Sequence, residues 1–138
     1  MYKFRSMKLH DESVYVQTKE NDKRITRFGE FLRKTSLDEL PQLINIIRNE
    51  MSVVGPRPHA PAFDKRFITK IQNYEKRYNI TPGLTGLAQI NGYRGGDDLD
   101  GMKKRVEFDL RYIDDNSLIG DLMIIFKTIP SLFNKGIY

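Results

Sequence analysis

The spacing of apolar residues along the chain predicts a mainly helical protein. Apolar side chains recur every three or four residues in several stretches, and each such stretch gives one apolar stripe on a helix. The clearest stripe consists of Leu37, Leu40, Leu43, Ile44, Ile47 and Met51. The predicted helices with apolar stripes cover 37–51, 61–78, 102–113 and 118–133.

A shorter helix precedes these four. Thr26 is placed to cap it, and the helix should end near Lys34 with Phe28, Phe31 and Leu32 buried. The alternation of apolar and polar residues over 2–7 predicts a short strand. The remaining segments are a strand over 2–7, a polar loop over 8–24, a stiff extended turn over 53–58, a strand or extended loop over 84–90, and a glycine- and aspartate-rich loop over 91–101. The pattern therefore predicts an α+β fold, a mainly helical single domain over 1–138 with a few short strands.

Composition narrows the classes of protein without choosing among them. The chain has 138 residues, and 23 basic against 18 acidic side chains give a formal net charge of +5. That surplus suits anionic partners such as phosphates, nucleic acid or an acidic membrane surface. The absence of cysteine excludes disulfides and thiolate zinc sites, and two histidines are too few for a multi-histidine metal site. The longest uninterrupted apolar run, 122–126, is far shorter than the ~20 residues that span a bilayer.

The segment Ser36-Leu37-Asp38-Glu39 has both a structural and a functional interpretation. In the structural one it is a capping box, in which Ser36 caps a helix and Glu39 reaches back. In the functional one, the positive end of the helix favours the ionised form of Asp38, which attacks phosphorus and forms an acyl phosphate. Glu39 would then hold Mg²⁺ together with substrate phosphates. The four residues alone leave both interpretations open.

Phosphate chemistry also needs fixed positive charge, and arginine offers a planar set of donors that matches phosphate oxygens. Arg33 lies shortly before Asp38, and Arg57 lies in a stiff turn between two prolines. Arg94, in the loop 91–101, is also assigned to substrate or phosphate binding. The segment 82–86 resembles a phosphate-binding loop only loosely, and a plain turn is the better interpretation.

The two histidines are given structural or no roles. His59 follows the Pro-Arg-Pro turn and is interpreted as a surface or helix-capping residue, whereas His10 has no visible role.

Several ordered blocks resemble one known family. They are YKFRSM at 2–7, RKTSLDELPQL at 33–43, MSVVGPRP at 51–58, PGLTGLAQING at 82–92, RVEFDL at 105–110 and the closing segment 117–128. Together they cover nearly the whole chain and resemble the bacterial sugar transferases, the monotopic polyprenyl-phosphate glycosyl-1-phosphate transferases. The segments 55–59 and 104–112 are most similar to the hexose-1-phosphate branch, such as the undecaprenyl-phosphate glucose or galactose phosphotransferases.

The resemblance implies a reaction and a role for each candidate residue. A hexose-1-phosphate would pass from a UDP-sugar to undecaprenyl phosphate, with release of UMP, at the start of capsule, exopolysaccharide or O-antigen synthesis. Asp38 would be the nucleophile that carries a covalent phosphosugar, and Glu39 would assist it and bind Mg²⁺. Arg33 and Arg57 would contact phosphates or the nucleotide.

The resemblance also implies a location, the cytoplasmic face of the bacterial inner membrane. Because the family carries a membrane-embedded segment before the block at 2–7, we expect this chain to be an N-terminally truncated catalytic domain that associates with the membrane surface. The apolar face of 118–133, near Lys127 and Lys135, could lie in the membrane interface or be buried against other helices.

One alternative function remains open. The chain would then be an inactive truncated domain that binds nucleotide-sugar or a full-length homologue. Homo-oligomers are also possible. A nucleic-acid partner is not expected, because no nucleic-acid-binding signature is present.

Overall fold

Helices make up most of the described chain, and the prediction of a mainly helical α+β fold is confirmed. The computed structural model describes residues 1–8, 18, 22–95 and 98–131. The α-helices are α1 Arg27–Lys34, α2 Gln42–Ile47, α3 Pro61–Phe67, α4 Leu87–Ile90, α5 Leu99–Asp114 and α6 Leu118–Ser131. Two 3-10 helices, Leu37–Glu39 and Tyr74–Asn79, and two strands, β1 Ser52–Val54 and β2 Gly83–Thr85, complete the described elements.

The two strands form a small parallel sheet that the sequence only partly indicated. Ser52 pairs with Gly83 and Val54 with Thr85, and the amide of Gly55 donates to the Thr85 carbonyl at 2.9 Å. The plain turn predicted over 82–86 is therefore wrong, because this segment contains β2. The strand or extended loop predicted over 84–90 is wrong at its end, since Leu87–Ile90 form the short helix α4. β1 was not predicted, because two valines before a glycine do not by themselves indicate which segment they pair with.

Two apolar clusters hold these elements together. The larger one packs α3 and the second 3-10 helix against α5, and its buried members are Phe63, Phe67, Ile71, Tyr74, Met102 and Val106. The smaller one lies between β1, α5 and α6, and its buried members are Val54, Tyr112 and Ile124. The stripe predicted over 61–78 therefore does face the core, except for Tyr78, which is 54% exposed.

The long helix predicted over 37–51 is wrong, because two local features interrupt it. Ser36 adopts a left-handed conformation with φ of 56°, and a single 3-10 turn follows it. Pro41, which has no amide hydrogen, lies at the start of the short helix α2. The apolar stripe does not form a buried face either, since most of its members are exposed, namely Leu40, Leu43, Ile44 and Ile47.

The helix predicted over 61–78 is also divided. It ends at Phe67, and the chain resumes as the 3-10 helix Tyr74–Asn79 after Asn73, whose φ is 60°. A residue in the left-handed conformation cannot continue an α-helix. The apolar residues of 61–78 therefore keep their helical spacing although the segment is not one continuous helix.

The strand predicted over 2–7 is wrong. Only Met7 pairs with another strand-like residue, Ile25, in an isolated bridge. The backbone instead uses partners outside any sheet, since the amide of Phe4 donates to the Asp38 carbonyl at 3.0 Å. Gly29 of α1 permits this path, because a Cβ there would lie 1.9 Å from the Ser6 carbonyl oxygen.

The helix that Thr26 was predicted to cap is α1, and the cap is confirmed by a 2.9 Å bond from the Gly29 amide to the Thr26 hydroxyl. Leu32 is buried as predicted. Phe28 and Phe31 are 68% and 53% exposed, so the prediction that they are buried is wrong. Their rings lie beside each other on the outside of the helix.

Helix α6 exposes most of its apolar side chains. Of the predicted face, Ile125 is half-buried. Ile124 is the buried apolar residue on this helix, whereas the exposed ones are Leu118, Ile119, Leu122, Met123, Phe126 and Ile129. Burial against the other helices therefore does not account for this face. Within the described residues, no helix combines the length and the apolar character needed to cross a bilayer.

Some predictions fall outside the described residues. They concern the loop over 9–17 and 19–21, including His10, the loop positions 96 and 97, and the C-terminal residues Leu132, Phe133 and Lys135.

Candidate active site

Asp38 and Glu39 lie in the 3-10 turn between α1 and α2. The capping-box interpretation is wrong for this turn, because the Ser36 side chain makes no capping hydrogen bond. The Glu39 carboxylate is engaged elsewhere: its Oε1 accepts from Lys3 Nζ at 2.9 Å and from Arg57 Nη2 at 2.5 Å. Glu39 therefore does not reach back to the Ser36 amide, which donates to the Arg33 carbonyl instead.

The environment of Glu39 keeps it ionised. Its side chain is only 12% exposed. Burial opposes ionisation, but the attraction and hydrogen bonds from Arg57 and Lys3 prevail and lower the pKa of Glu39 to about 2. Glu39 is thus a permanent negative charge at physiological pH.

The environment of Asp38 acts in the opposite direction. Burial raises the pKa of Asp38 above its ordinary value, and repulsion from Glu39 adds to the rise. Lys3 and Arg33 attract the carboxylate and limit that rise. The two adjacent carboxyl groups therefore have pKa values displaced in opposite directions, a pattern typical of sites where the two groups do different work.

A cavity of about 260 Å³ brings the predicted site residues together. Its lining residues are Lys3, Phe4, Ser6, Met7, Arg33, Ser36, Asp38, Glu39, Arg57 and Arg94. All five predicted site residues are in this set, although they come from three separate parts of the sequence. Four cationic side chains face two carboxylates here, so the cavity has two unmatched positive charges.

Arg94 has an unsatisfied hydrogen-bond donor near the two carboxylates. Its Nη1 atom is buried and has no hydrogen-bond partner among the described residues. Burial lowers the pKa of Arg94, and so does repulsion from Arg57, while Glu39 and Asp38 act against the change. A buried guanidinium donor without a partner is costly, and an anionic ligand in this cavity would satisfy it.

Lys3 is a site residue that the sequence analysis missed. It lies in the segment predicted as a strand, where alternation said nothing about its chemistry. The segment reaches the site because Phe4 binds the Asp38 backbone and the Tyr2 amide donates to Asn45 Oδ1 at 2.8 Å. The family block YKFRSM contained Lys3, but no local signal paired it with Glu39.

His59 is not the surface or capping residue that was expected. Its side chain is 7% exposed and lies among buried charged groups next to Arg57. The part of the chain that the structure describes holds no group of three or more histidine, aspartate or glutamate side chains that could form a metal site without substrate.

An apolar groove of about 360 Å³ adjoins the cationic cavity. The two share Ser36, Glu39 and Arg94. A 2.6 Å hydrogen bond between the hydroxyls of Thr85 and Thr128 ties β2 to α6 along the groove. The apolar residues along it are Leu37, Leu40, Leu43, Val53, Leu84, Ile125 and Ile129.

Comparison with known proteins identifies the same family that the sequence blocks resemble. A family model described as "Bacterial sugar transferase" matches residues 1–135. The chain belongs to the bacterial sugar transferase family. The family predicted from the sequence blocks is thereby confirmed.

Three relatives of the chain are named as undecaprenyl-phosphate sugar phosphotransferases. The "UDP-glucose:undecaprenyl-phosphate glucose-1-phosphate transferase" of Escherichia coli (strain K12) is 50% identical over 141 residues, covering 100% of this chain and 30% of the relative. The protein of the same name from Caulobacter vibrioides is 47% identical, covering 94% of this chain and 49% of the relative. The "UDP-N-acetylgalactosamine-undecaprenyl-phosphate N-acetylgalactosaminephosphotransferase" of Aeromonas hydrophila is 40% identical, covering 96% of this chain and 31% of the relative. This bacterial sugar transferase chain thus spans less than half the length of each of the three.

Proposed function

We propose that this chain is the catalytic part of a transferase that moves a hexose-1-phosphate from a UDP-sugar to undecaprenyl phosphate. The observation that carries the proposal is the meeting of Asp38 with four cationic side chains in one cavity. The diphosphate of a UDP-sugar has two negative charges, which match the two unmatched positive charges of the cavity. The relatives' names supply the identities of donor and acceptor.

The first step is an attack of an Asp38 carboxylate oxygen on the phosphorus that bears the sugar. The bond from that phosphorus to the bridging oxygen breaks, and UMP leaves with the electron pair. An acyl phosphate then joins Asp38 to the sugar phosphate. Arg33, Arg57, Arg94 and Lys3 stabilise the charge that develops on the phosphate oxygens.

In the second step, a phosphate oxygen of the lipid acceptor attacks the same phosphorus. Asp38 leaves as the carboxylate, and the sugar is left on a polyprenyl diphosphate. The apolar groove next to the cavity supports this acceptor, because a phosphate at Arg94 would place its hydrocarbon chain along Leu40, Leu43 and Ile129.

The donor set of the site fits Mg²⁺. This ion binds one or two carboxylates together with substrate phosphates and keeps several waters. Both ion pairs of Glu39 are made by Oε1, and among the described residues Oε2 has no hydrogen-bond partner. Glu39 is therefore the residue that would hold the ion. When bound, Mg²⁺ would neutralise charge on the diphosphate and on the departing UMP.

The exposed apolar patches favour action at a membrane surface. Apolar side chains stand exposed on α1, around α2 and along α6, and a net charge of +5 would add attraction to anionic lipids. These patches would place the mouth of the apolar groove, which Leu40 and Ile129 line, near the hydrocarbon of the acceptor.

The proposal is tested by Asp38→Asn. This variant removes the proposed nucleophile and a half-buried charge, so it should fold as well as the parent but release no UMP from UDP-glucose with Mg²⁺. Asp100→Asn is the matched control, because Asp100 is 92% exposed at the start of α5. UMP is measured with and without undecaprenyl phosphate, alongside intact protein mass.

The outcomes separate the proposal from its alternative. A burst of UMP without acceptor, with a gain in protein mass equal to one hexose phosphate, is the expected result for the parent. UMP release by Asp38→Asn at the parent rate would exclude Asp38 as nucleophile. Binding of UDP-glucose by the parent without any UMP release would favour an inactive nucleotide-sugar-binding domain.

A further inference from the structure

A buried charged cluster adjoins the candidate active site and has no place in the proposed reaction. It contains two guanidinium groups, Arg77 and Arg105, which are 4% and 3% exposed, and the carboxylate of Asp109, which is 2% exposed. Buried ion pairs add little net stability, because the cost of removing charges from water offsets their attraction. The role of the cluster is therefore indicated by the groups that accept hydrogen bonds from its two arginines.

Arg105 holds the backbone on both sides of Arg94. Its Nε donates to the Tyr93 carbonyl at 3.0 Å, and its Nη2 donates to the Gly95 carbonyl at 2.5 Å. The segment 91–95 has no helix or strand of its own, and it includes Gly92 at φ 90°. Arg105 thus takes the role that a regular element would otherwise have in fixing the position of Arg94.

Arg77 holds the backbone of Arg57 in the same way. Its Nη2 donates to the Arg57 carbonyl at 2.8 Å, and its Nε donates to Asp109 Oδ2 at 2.7 Å. Asp109 lies one turn after Arg105 on α5. The loops that carry Arg57 and Arg94 are therefore both anchored, through arginines, to one helix.

His59 lies between the two arginines. Arg105 Nη1 lies 3.0 Å from His59 Nε2, and since an arginine can only donate, Nε2 is the acceptor. The imidazole proton then lies on Nδ1 and is donated to Asp64 Oδ1 at 3.2 Å. Arg77 Nη1 lies 3.0 Å from the same Nδ1, so it donates instead to the Tyr74 hydroxyl at 3.1 Å. Burial, together with the charges of Arg77 and Arg105, lowers the pKa of His59 to about 4 against the opposing bond to Asp64. A neutral imidazole is what two neighbouring guanidinium groups require.

We propose that Arg77 and Arg105, with His59 packed between them, are positioning residues that hold Arg57 and Arg94 at the spacing needed to bind the diphosphate of the UDP-sugar. The inference rests on the proposed function, since it assigns Arg57 and Arg94 to the donor. It adds residues that touch no substrate themselves and act through the backbone of those that do.

The first test is Arg105→Lys. Lysine keeps the charge but cannot reach two carbonyls and an imidazole at once. The dissociation constant for UDP-glucose with Mg²⁺ should rise about tenfold or more, as expected for the loss of one well-placed phosphate contact. Arg111→Lys, on the exposed side of the same helix, is the matched control and should leave it unchanged.

A double-mutant cycle separates positioning from stability. If Arg105 acts through Arg94, then Arg105→Lys should have almost no further effect on UDP-glucose binding in an Arg94→Ala background. Effects that multiply in the double variant would overturn the proposal. Binding is measured by calorimetry on protein whose folding has been checked by circular dichroism.

The histidine supplies a second route if Arg105→Lys fails to fold. His59→Leu removes the acceptor for Arg105, whereas His59→Gln keeps an oxygen that can accept. Weak UDP-glucose binding in the leucine variant with recovery in the glutamine variant supports the link. Equal binding in both folded variants overturns it.

Inorganic pyrophosphate distinguishes failure of this inference from failure of the proposed function. Suppose that the parent binds pyrophosphate but not UDP-glucose, and that Arg105→Lys weakens the binding of pyrophosphate. The positioning role then stands, whereas the assignment of UDP-sugar as donor is wrong. If Arg105→Lys binds both as tightly as the parent, the positioning role alone is overturned.

Discussion

Asp38 and Glu39 are adjacent residues with the same chemistry, and their surroundings give them different properties. Glu39 receives two cations on one oxygen, which lower its pKa to about 2 against the effect of burial. Burial raises the pKa of Asp38, which has no direct ion pair of that kind. The group whose ionisation limits the proposed reaction at low pH is therefore Asp38.

The pH dependence of UMP release should show this difference. The rate should fall as the pH is lowered through the raised pKa of Asp38, because protonation removes the nucleophile. Lys3→Met removes a charge that attracts the Asp38 carboxylate, so the midpoint of the acid limb should move to higher pH. The measurement is the burst rate of UMP release as a function of pH.

Lys103→Met is the control for this prediction. Lys103 is half exposed on α5 and pairs with Asp100, away from the cavity. Its loss changes the net charge by the same amount and should leave the midpoint in place. An equal displacement in both variants would mean that net charge, rather than the contact of Lys3 with the site, sets the profile.

At the level of elements, the sheet of two short strands determines where Arg57 lies. β1 leads directly into the turn that carries Arg57, and β2 leads into α4 and then Arg94. A Cβ on Gly83 would lie 2.1 Å from the Gly55 nitrogen at the end of β1 and 2.5 Å from the Thr85 carbonyl oxygen of its own strand. Glycine is needed here for close approach of two backbones.

Gly83→Ala should therefore destabilise the fold. The added methyl group meets backbone atoms that cannot rotate away, and we expect a loss of about 1–3 kcal/mol in unfolding free energy, as for other overpacked positions. Gly120→Ala is the matched control, because a Cβ there meets only the Ser117 side chain. It should be neutral or add up to about 1 kcal/mol, since alanine favours a helix.

Urea unfolding followed by circular dichroism measures both changes. A Gly83→Ala protein as stable as the parent would show that the strands can separate without cost. That result would remove the sheet as the element that fixes Arg57.

At the level of the whole molecule, His59 couples stability to pH. Its pKa is about 4 in the folded chain against an ordinary value of 6.5. As the pH falls from 6.5, the unfolded chain binds this proton before the folded chain does, so folding is opposed. This contribution to stability is complete above about pH 6.5, and roughly 3 kcal/mol of it should be lost by pH 4.

His59→Gln tests this dependence. Glutamine does not titrate, so the difference in unfolding free energy between parent and variant should change by roughly 3 kcal/mol from neutral pH to pH 4. Chemical unfolding at a series of pH values measures it. Parallel stability curves for the two proteins would contradict a buried neutral histidine.

The exposed apolar face of α6 is also a property of the whole molecule, because no element of the described chain covers it. Ile119 and Phe126 are 72% and 69% exposed and lie two turns apart on one side of the helix. If this face enters a membrane interface, replacing both by asparagine should weaken binding to anionic phospholipid vesicles about tenfold or more. Sedimentation with vesicles measures the bound fraction.

Leu99→Asn is the control, as an exposed apolar residue at the start of α5. It should leave vesicle binding unchanged. Unchanged binding of the double α6 variant would contradict the assignment of this face to the membrane.

The sequence by itself determined the helical class, the Thr26 cap of α1 and the identity of the family, and it supplied the candidate residues for phosphate chemistry. These depend on local spacing or on blocks of consecutive residues, so they can be predicted without knowing what packs where. Arg33, Asp38 and Glu39 lie close together in the chain, and their meeting at one site needed little tertiary information.

Only the tertiary structure decided which apolar stripes are buried, which strands pair and which distant charges meet. The stripe at 37–51 and the face of 118–133 have the period of a core helix, yet most of their described members are exposed, because periodicity records that a face is apolar and not what covers it. Lys3 reaches Glu39, and His59 lies between two arginines, through contacts between residues far apart in the chain. No short segment contains that information, since each such contact depends on the packing of several elements at once.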